Sequence, residues 1–172
     1  QLFEGKNSYY SESSKTFPLN FYSKLKIASE NYIIKNLKDF LIIRTNFFGW
    51  GSFFRSSFSD NIIFNLKKKK EIHILKDVYF NPISLNYLTK AISKLISNKK
   101  NGIYNISSSE KISKYNLAKK IAKTFKLNMK YLNPTRLKNL ESNVVRPRNM
   151  SLNNVKIGKI FAMPSIEYQI KN

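Results

Sequence analysis

A helix followed by a buried strand is predicted by two stretches, Phe17-Pro18-Leu19-Asn20-Phe21-Tyr22-Ser23-Lys24-Leu25-Lys26-Ile27-Ala28-Ser29-Glu30 and Asp39-Phe40-Leu41-Ile42-Ile43-Arg44. Thr16 and Pro18 suit the helix start, as a cap and a first-turn residue, and we expect the helix to run to about Asn36. Apolar residues recur along it at spacings of four, three and four and predict one buried stripe: Phe21, Leu25, Ala28 and Tyr32. The four consecutive apolar residues of the second stretch are typical of a strand buried in a parallel sheet, so the two stretches predict half of a βαβ unit.

Two residues of this helix have the spacing that lets their side chains act together. Tyr22 and Lys26 are four residues apart, so they lie on the same helix face, at the border of the apolar stripe. An ammonium beside a phenol favours the phenolate, which makes the tyrosine a usable general acid and base. Composition alone predicts about one or two such spacings by chance. A second pair, Tyr115 and Lys119, does occur and serves as an internal control, because no strand and aromatic loop follow it. We expect Tyr115 to pack near its helix start and Lys119 to be solvated.

The composition favours one globular domain. The chain has 172 residues, of which 42% are apolar and 14% aromatic, and no apolar run is long enough for a membrane span. It has no cysteine, which excludes disulfides, thiolate metal sites and a cysteine nucleophile, and which fits a cytoplasmic location. The one histidine, His73, lies in an alternating run typical of a strand, where a solvated or packed role is expected. We therefore expect no metal.

The net charge of +21 has two interpretations. The first is nucleic-acid binding through phosphate contacts. The second is biased codon usage, because Lys outnumbers Arg 26 to 5, as expected of an A+T-rich genome, whereas dedicated phosphate readers also use the arginine fork. The run Lys67-Lys68-Lys69-Lys70 is expected to be a solvated turn before a strand. We favour the second interpretation, and a positive field can assist an anionic small-molecule substrate.

Alternating helices and strands are predicted for the rest of the chain. The helices are expected at residues 57–70, 84–97 and 114–125, the strands at 72–75, 102–106 and 129–132, and two short helical turns in the C-terminal tail. An aromatic, glycine-bearing loop, Thr45-Asn46-Phe47-Phe48-Gly49-Trp50-Gly51, follows the first strand, where α/β sheets bind their ligands. The predicted fold class is α/β.

The same residues, taken in order, resemble one family. The pattern Pro18-x-x-x-Tyr22-x-x-x-Lys26-x-x-x-Glu30 resembles the active-site helix of the extended short-chain dehydrogenases/reductases. Five further segments, which cover almost the whole chain, are similar to the dTDP-4-dehydrorhamnose reductase branch: Phe3-Glu4-Gly5 with Tyr10-Ser11-Glu12, Leu41–Thr45, Gly102–Ser107, Ser113-Lys114-Tyr115, and Arg146-Pro147-x-Asn149-x-x-Leu152. The resemblance implies the distal part of a Rossmann-like parallel sheet with a small mixed α/β substrate-binding lobe.

The resemblance also implies roles for five residues. Tyr22 would donate a proton to the 4-keto oxygen of a nucleotide sugar, while NADPH or NADH delivers hydride to the carbon. Lys26 would favour the Tyr22 phenolate and hold the nicotinamide ribose, and Thr45 would also contact the cofactor. Phe47, the aromatic residue after the strand, would contact the substrate, and Arg146 would lie near its nucleotide end. We consider a homodimer as the assembly, and we expect neither nucleic acid nor a membrane as a partner.

The chain departs from the family pattern where the cofactor phosphates would bind. Its five glycines, at positions 5, 49, 51, 102 and 158, form no G-x-x-G-x-x-G turn. The Ser or Thr that assists the tyrosine in this family would precede Gln1. The expectation is therefore a C-terminal portion of such an enzyme, with residues 1–50 in the cofactor-binding domain and 51–172 in the substrate-binding lobe. We expect such a portion to have little or no activity by itself and an unpaired sheet edge.

Three alternatives stay open. A sugar-nucleotide epimerase or dehydratase of the same superfamily would share the Tyr22/Lys26 pair. A non-catalytic, nucleotide-binding regulatory subunit would bind its ligand without turnover. A basic nucleic-acid-binding module would show binding that weakens with salt.

Overall fold

Helices and short strands alternate in the computed structural model, which describes residues 2–52 and 54–172. The helices are α1 (Phe21–Asn36), α2 (Phe58–Lys67), α3 (Leu85–Ser97), α4 (Lys114–Thr124), α5 (Val155–Gly158) and α6 (Ile166–Lys171). The strands are β1 (Leu41–Thr45), β2 (Phe47–Phe48), β3 (Ile72–Leu75), β4 (Tyr79–Phe80), β5 (Ile83–Ser84), β6 (Gly102–Ile106), β7 (Ile112–Ser113) and β8 (Leu132–Thr135). The predicted α/β class is confirmed.

Most of the strand pairing within the described ranges is parallel. β1 pairs with β6 in parallel, from Leu41 opposite Gly102 to Thr45 opposite Ile106. β2 with β5 and β3 with β8 are also parallel, whereas β4 and β7 are antiparallel. The strand predicted at 129–132 is wrong by about three residues, because Asn128 accepts a hydrogen bond from the Lys130 N–H at 2.9 Å and caps a short 3-10 turn before β8 begins.

Two hydrophobic clusters form the core of the described chain. The larger lies between α2, α4, α6 and the β3–β8 pair, and its fully buried members include Leu117 and Ile121 of α4. The second joins α3, β6 and α5. A smaller cluster consists of Phe3, Tyr10 and Leu152, in which the Phe3 and Tyr10 rings stack with their centres 4.2 Å apart. This third cluster lies beside β1 and α1, the elements that build the candidate site.

The start of α1 differs from the prediction. Asn20, not Thr16, caps the helix, and Pro18 lies before it. Asn20 Oδ1 accepts the Ser23 N–H at 2.9 Å, and Ser23 Oγ accepts the Asn20 N–H at 3.2 Å. This reciprocal pair satisfies two backbone donors that a start at Pro18 would leave open. Asn is also at least as good a cap as Thr.

The buried stripe predicted on α1 is wrong. Phe21, Leu25 and Tyr32 are 74%, 52% and 71% exposed, and Ala28 is exposed as well. Only Ser23 is buried. Apolar residues occur all round this helix rather than on one side, so their spacing could not identify a face that packs against the rest of the chain.

The remaining sequence predictions concern exposed polar segments. Lys67 to Lys70 end α2 and are all exposed, as predicted for a solvated turn. His73 is exposed on β3, and no cluster of possible metal ligands occurs among the described residues. None of the helices in residues 2–52 and 54–172 has the length and apolarity needed to cross a bilayer.

Candidate active site

A cavity of about 270 Å³ lies between α1 and the carboxyl end of β1. Helix α1 contributes Tyr22, Lys26 and Glu30, and the chain from Ile43 to Phe47 forms the opposite wall. Two distant segments complete the lining with Leu2, Phe3, Met150 and Leu152. The cavity therefore lies at the end of a parallel strand, where open α/β sheets bind their ligands.

Four of the five residues predicted from the sequence come together in this cavity: Tyr22, Lys26, Thr45 and Phe47. Arg146 does not line it. It lines a separate cavity of about 200 Å³ formed by residues between Leu137 and Arg146. The segment that carries Arg146 is nevertheless tied to the start of α1, because Asn20 Nδ2 donates to the Val145 carbonyl at 3.0 Å.

The Tyr22/Lys26 pair has the geometry that its spacing predicts. Lys26 Nζ lies 5.9 Å from the centre of the Tyr22 ring. Tyr22 is 57% exposed, so solvent and ligands can reach its side chain. Within the described part of the chain, no carboxylate forms an ion pair with Lys26. The ammonium is thus available to a phenolate and to a polar ligand.

A buried ion pair beneath Lys26 was not predicted. Arg44 Nη2 lies 2.6 Å from Glu30 Oε2, and Arg44 Nε donates to both oxygens of Glu30 at 3.1 and 3.2 Å. Arg44 Nη1 also donates to the Glu12 carbonyl at 3.1 Å. The signal that could have found this pair is an arginine inside an apolar strand, because a buried arginine is almost always paired.

Thr45 ends β1, and Asn46 follows it with a contrasting side chain. Thr45 Oγ1 is buried and has no hydrogen-bond partner among the described residues. Asn46 Nδ2 donates to the Met150 carbonyl at 2.7 Å, and the Asn46 carbonyl accepts the Ile83 N–H at 2.9 Å. Asn46 therefore fixes the cavity wall, whereas the Thr45 hydroxyl is left with unused hydrogen-bonding capacity beside the cavity.

In the aromatic loop after β1, Phe47 lines the cavity and is 58% exposed. Asp60 anchors the far end of the loop, because its Oδ2 accepts the Gly51 N–H at 2.6 Å and the Ser57 N–H at 2.8 Å. The pKa of the Asp60 carboxyl is below its ordinary value, mainly because Ser57 donates hydrogen bonds to the carboxylate. Gly51 has no room for a side chain, because a Cβ there would meet the Arg55 carbonyl and the Asp60 carboxylate.

Positive charge is concentrated near Arg146. The pKa of the Lys114 ammonium is lowered from its ordinary value, first because the side chain is buried and then because the Arg146 guanidinium is near. Neither residue forms an ion pair with a carboxylate of the described chain. Two cations without an anionic partner favour an anion at this place.

The fold and this cavity define an α/β protein with a tyrosine and a lysine at the end of a parallel strand. Residues 1–171 match the family model described as the RmlD substrate binding domain, and the chain belongs to that family. The family resemblance found in the sequence is thereby confirmed. Comparison with curated protein sequences gave no match.

Solved structures share the fold over nearly the whole chain. The dTDP-4-dehydrorhamnose reductase of Bacillus anthracis, in complex with NADP, superposes with a TM-score of 0.89 at 24% identity, over 99% of this chain and 60% of that one. A hypothetical dTDP-4-dehydrorhamnose reductase from Sulfolobus tokodaii gives a TM-score of 0.80 at 29% identity, over 94% and 56% of the two chains. The dTDP-glucose 4,6-dehydratase of Bacillus anthracis, in complex with NAD, gives 0.73 at 14% identity, over 97% and 55%. The fold is therefore that of sugar-nucleotide reductases, and the chain spans about 60% of the length of the first of these structures.

Proposed function

We propose that this chain is part of an NAD(P)H-dependent reductase that reduces the 4-keto group of a nucleotide sugar, as a dTDP-4-dehydrorhamnose reductase does. The observation that carries the proposal is the Tyr22/Lys26 pair, which lines a cavity at the end of a parallel strand. The match to the RmlD substrate binding domain supports the substrate class. The Bacillus anthracis reductase was solved in complex with NADP, which supports the cofactor class.

The side chains around the cavity fit a nicotinamide nucleotide. Lys26 has no carboxylate partner among the described residues, so its ammonium has bonding capacity for ligand hydroxyls, and Thr45 lines the same cavity. The reduced nicotinamide would supply hydride to the carbonyl carbon. Tyr22 would hold the proton that the carbonyl oxygen receives, and Lys26 would stabilise the phenolate that remains.

Two further residues would bind the substrate. Phe47 presents an exposed ring to the cavity and would contact the sugar. Arg146 lies in an electropositive region next to Lys114 and would bind the phosphates of the nucleotide. The division at residue 50, the homodimer and the cytoplasmic location belong to the same proposal. So does the prediction that the 172-residue chain alone turns over little substrate, because it has no glycine-rich phosphate turn.

The direct test is an assay of NADPH oxidation with dTDP-4-dehydrorhamnose. It compares the 172-residue chain with the protein made from the whole coding sequence. We expect turnover by the latter and little by the former. Rapid turnover by the 172-residue chain would contradict the expected dependence on other residues. Saturable binding of the nucleotide sugar without turnover by either protein would contradict the reductase and favour a regulatory subunit.

A further inference from the structure

Three charged side chains line the candidate active site, and their pairing is unusual. Lys26 and Glu30 are four residues apart on α1, a spacing at which a lysine and a glutamate attract each other across one helical turn. The Glu30 carboxylate nevertheless contacts Arg44 of β1, and no ion pair joins it to Lys26. The partner of Glu30 is therefore Arg44 of the neighbouring strand rather than Lys26 of the same helix.

The geometry explains why Arg44 holds the carboxylate. Its Nε and Nη2 both face Glu30, at 2.6 to 3.2 Å, in the fork arrangement that suits a carboxylate. The two side chains are only 7% and 13% exposed, so water screens the pair weakly. The Glu12 carbonyl and the Phe3 ring, whose centre lies 5.6 Å from Arg44 Cζ, fix the guanidinium further.

The consequence concerns the charge balance of the cavity. Arg44 and Glu30 neutralise each other, so Lys26 carries the unpaired charge among the charged residues that line the cavity. The nearby Glu12 carboxylate is also engaged, because its Oε1 accepts the Asn105 N–H at 3.0 Å. If Arg44 were absent, Glu30 would be the nearest unpaired carboxylate to Lys26 on the same helix.

We propose that Arg44 is a positioning residue that sequesters Glu30 and so keeps the Lys26 ammonium free for Tyr22 and for a ligand. The role in turnover rests on the proposed function. The exchange of ion-pair partners does not, since it is a property of the chain without any ligand and can be measured there.

The test is competitive acetylation of the lysines with acetic anhydride, followed residue by residue with mass spectrometry. In Arg44→Met we expect Lys26 to react about 1.5- to 2-fold more slowly, because the released Glu30 pairs with it and holds its proton. In Arg44→Met/Glu30→Gln the reactivity should recover, because no carboxylate is released. Lys119, which has a tyrosine four residues before it but no such carboxylate, is the internal control and should not change. An unchanged Lys26 in folded Arg44→Met, or no recovery in the double variant, would overturn the proposal.

A second measurement covers the case in which Arg44→Met does not fold. The free energies of unfolding of Lys26→Met, Glu30→Gln and the double variant form a cycle that leaves Arg44 in place. We expect the effects of the two substitutions to add, because Lys26 and Glu30 are not paired, and a clear departure from additivity would overturn the proposal.

Turnover of a 4-keto nucleotide sugar distinguishes the proposed role of Arg44 from the proposed reductase function. If activity is lost in Arg44→Met and recovered in Arg44→Met/Glu30→Gln, both the role of Arg44 and the reductase function are supported. If the acetylation pattern is as expected but none of the proteins turns over the substrate, only the reductase function is contradicted.

Discussion

Helices α1 and α4 each carry a tyrosine four residues before a lysine, and the two pairs have almost the same local geometry. The distance from the lysine Nζ to the ring centre is 5.9 Å for Tyr22/Lys26 and 5.8 Å for Tyr115/Lys119. The surroundings differ completely. The first pair lines a cavity at a strand end, where Arg44 pairs with Glu30, whereas Lys119 lines an open groove among other lysines of α4.

The two helices also differ in how they are held. The apolar side of α4 is fully buried in the main core and consists of Leu117, Ala118, Ile121 and Ala122. Helix α1 buries only Ser23 and is held by its cap and by the Glu30–Arg44 pair. The comparison teaches that a helix can place side chains around a cavity without contributing much to the core.

The largest expected effect is on turnover, and it distinguishes Tyr22 from Tyr115. In the protein made from the whole coding sequence, Tyr22→Phe should lower turnover of a 4-keto nucleotide sugar by roughly 10²- to 10⁴-fold, the usual contribution of a general acid. Cofactor binding should stay close to that of the unmodified protein. Tyr115→Phe is the matched control and should change turnover by less than about twofold, because it keeps the ring that packs against the main core and lies outside the candidate site. Equal losses in the two variants, measured by NADPH oxidation, would refute the assignment.

The next largest effect is on the free energy of unfolding, which should respond to a substitution in α4 much more than to one in α1. Ile121→Ala should lower the free energy of unfolding by about 2–5 kcal/mol, because it removes a fully buried side chain from the main core. Leu25→Ala should change it by about 0.5 kcal/mol or less, because Leu25 is 52% exposed on α1. Chemical denaturation of the two variants gives both numbers. A loss at Leu25 as large as that at Ile121 would show that α1 is packed in solution.

A smaller effect is expected at the two helix caps. Ser113 Oγ accepts the Asn116 N–H at 3.1 Å at the start of α4, and Asn20 does the same for Ser23 in α1. Ser113→Ala should lower the global free energy of unfolding by about 1 kcal/mol. Asn20→Ala should instead speed amide hydrogen exchange within the first turn of α1, because an exposed helix end opens locally. The prediction fails if Asn20→Ala leaves exchange in α1 unchanged.

The smallest expected effect concerns two lysines of α4. The folded-state pKa of Lys114 is lowered, first by burial and then by Arg146, whereas the ordinary value is 10.5. Between the lowered folded-state pKa and 10.5, the unfolded chain binds more protons than the folded one, so the free energy of unfolding should rise with pH across that window. Lys114→Met should flatten this rise and stabilise the protein at neutral pH by about 1 kcal/mol or less. Lys119→Met, at an exposed position, should leave the pH dependence unchanged in denaturation measured from pH 7 to 10.5.

Several elements were predictable because one local signal decides each of them. One-sided apolar patterns identified α3 and α4 to within a residue or two, and the apolar run after α1 identified β1. The start of α1 was missed because Thr16, Pro18 and Asn20 all carry helix-start signals, and the capping box with Ser23 decides among them. The exposure of Phe21 and Tyr32 was missed because an apolar period cannot reveal whether a packing partner is present.

The sequence by itself determined the α/β class, the Tyr22/Lys26 pair and the family, because spacing along one helix and the order of motifs are properties of the chain. Only the tertiary structure decided which pair lines a cavity, that Arg146 lies outside it, and that Glu30 pairs with Arg44 rather than with Lys26. The physical reason is distance along the chain. Arg44 lies 14 residues from Glu30, and Met150 lies 104 residues from the Asn46 that it contacts. Contacts of that kind depend on how strands and helices pack, so a local pattern can indicate that Arg44 needs a partner but not which residue the partner is.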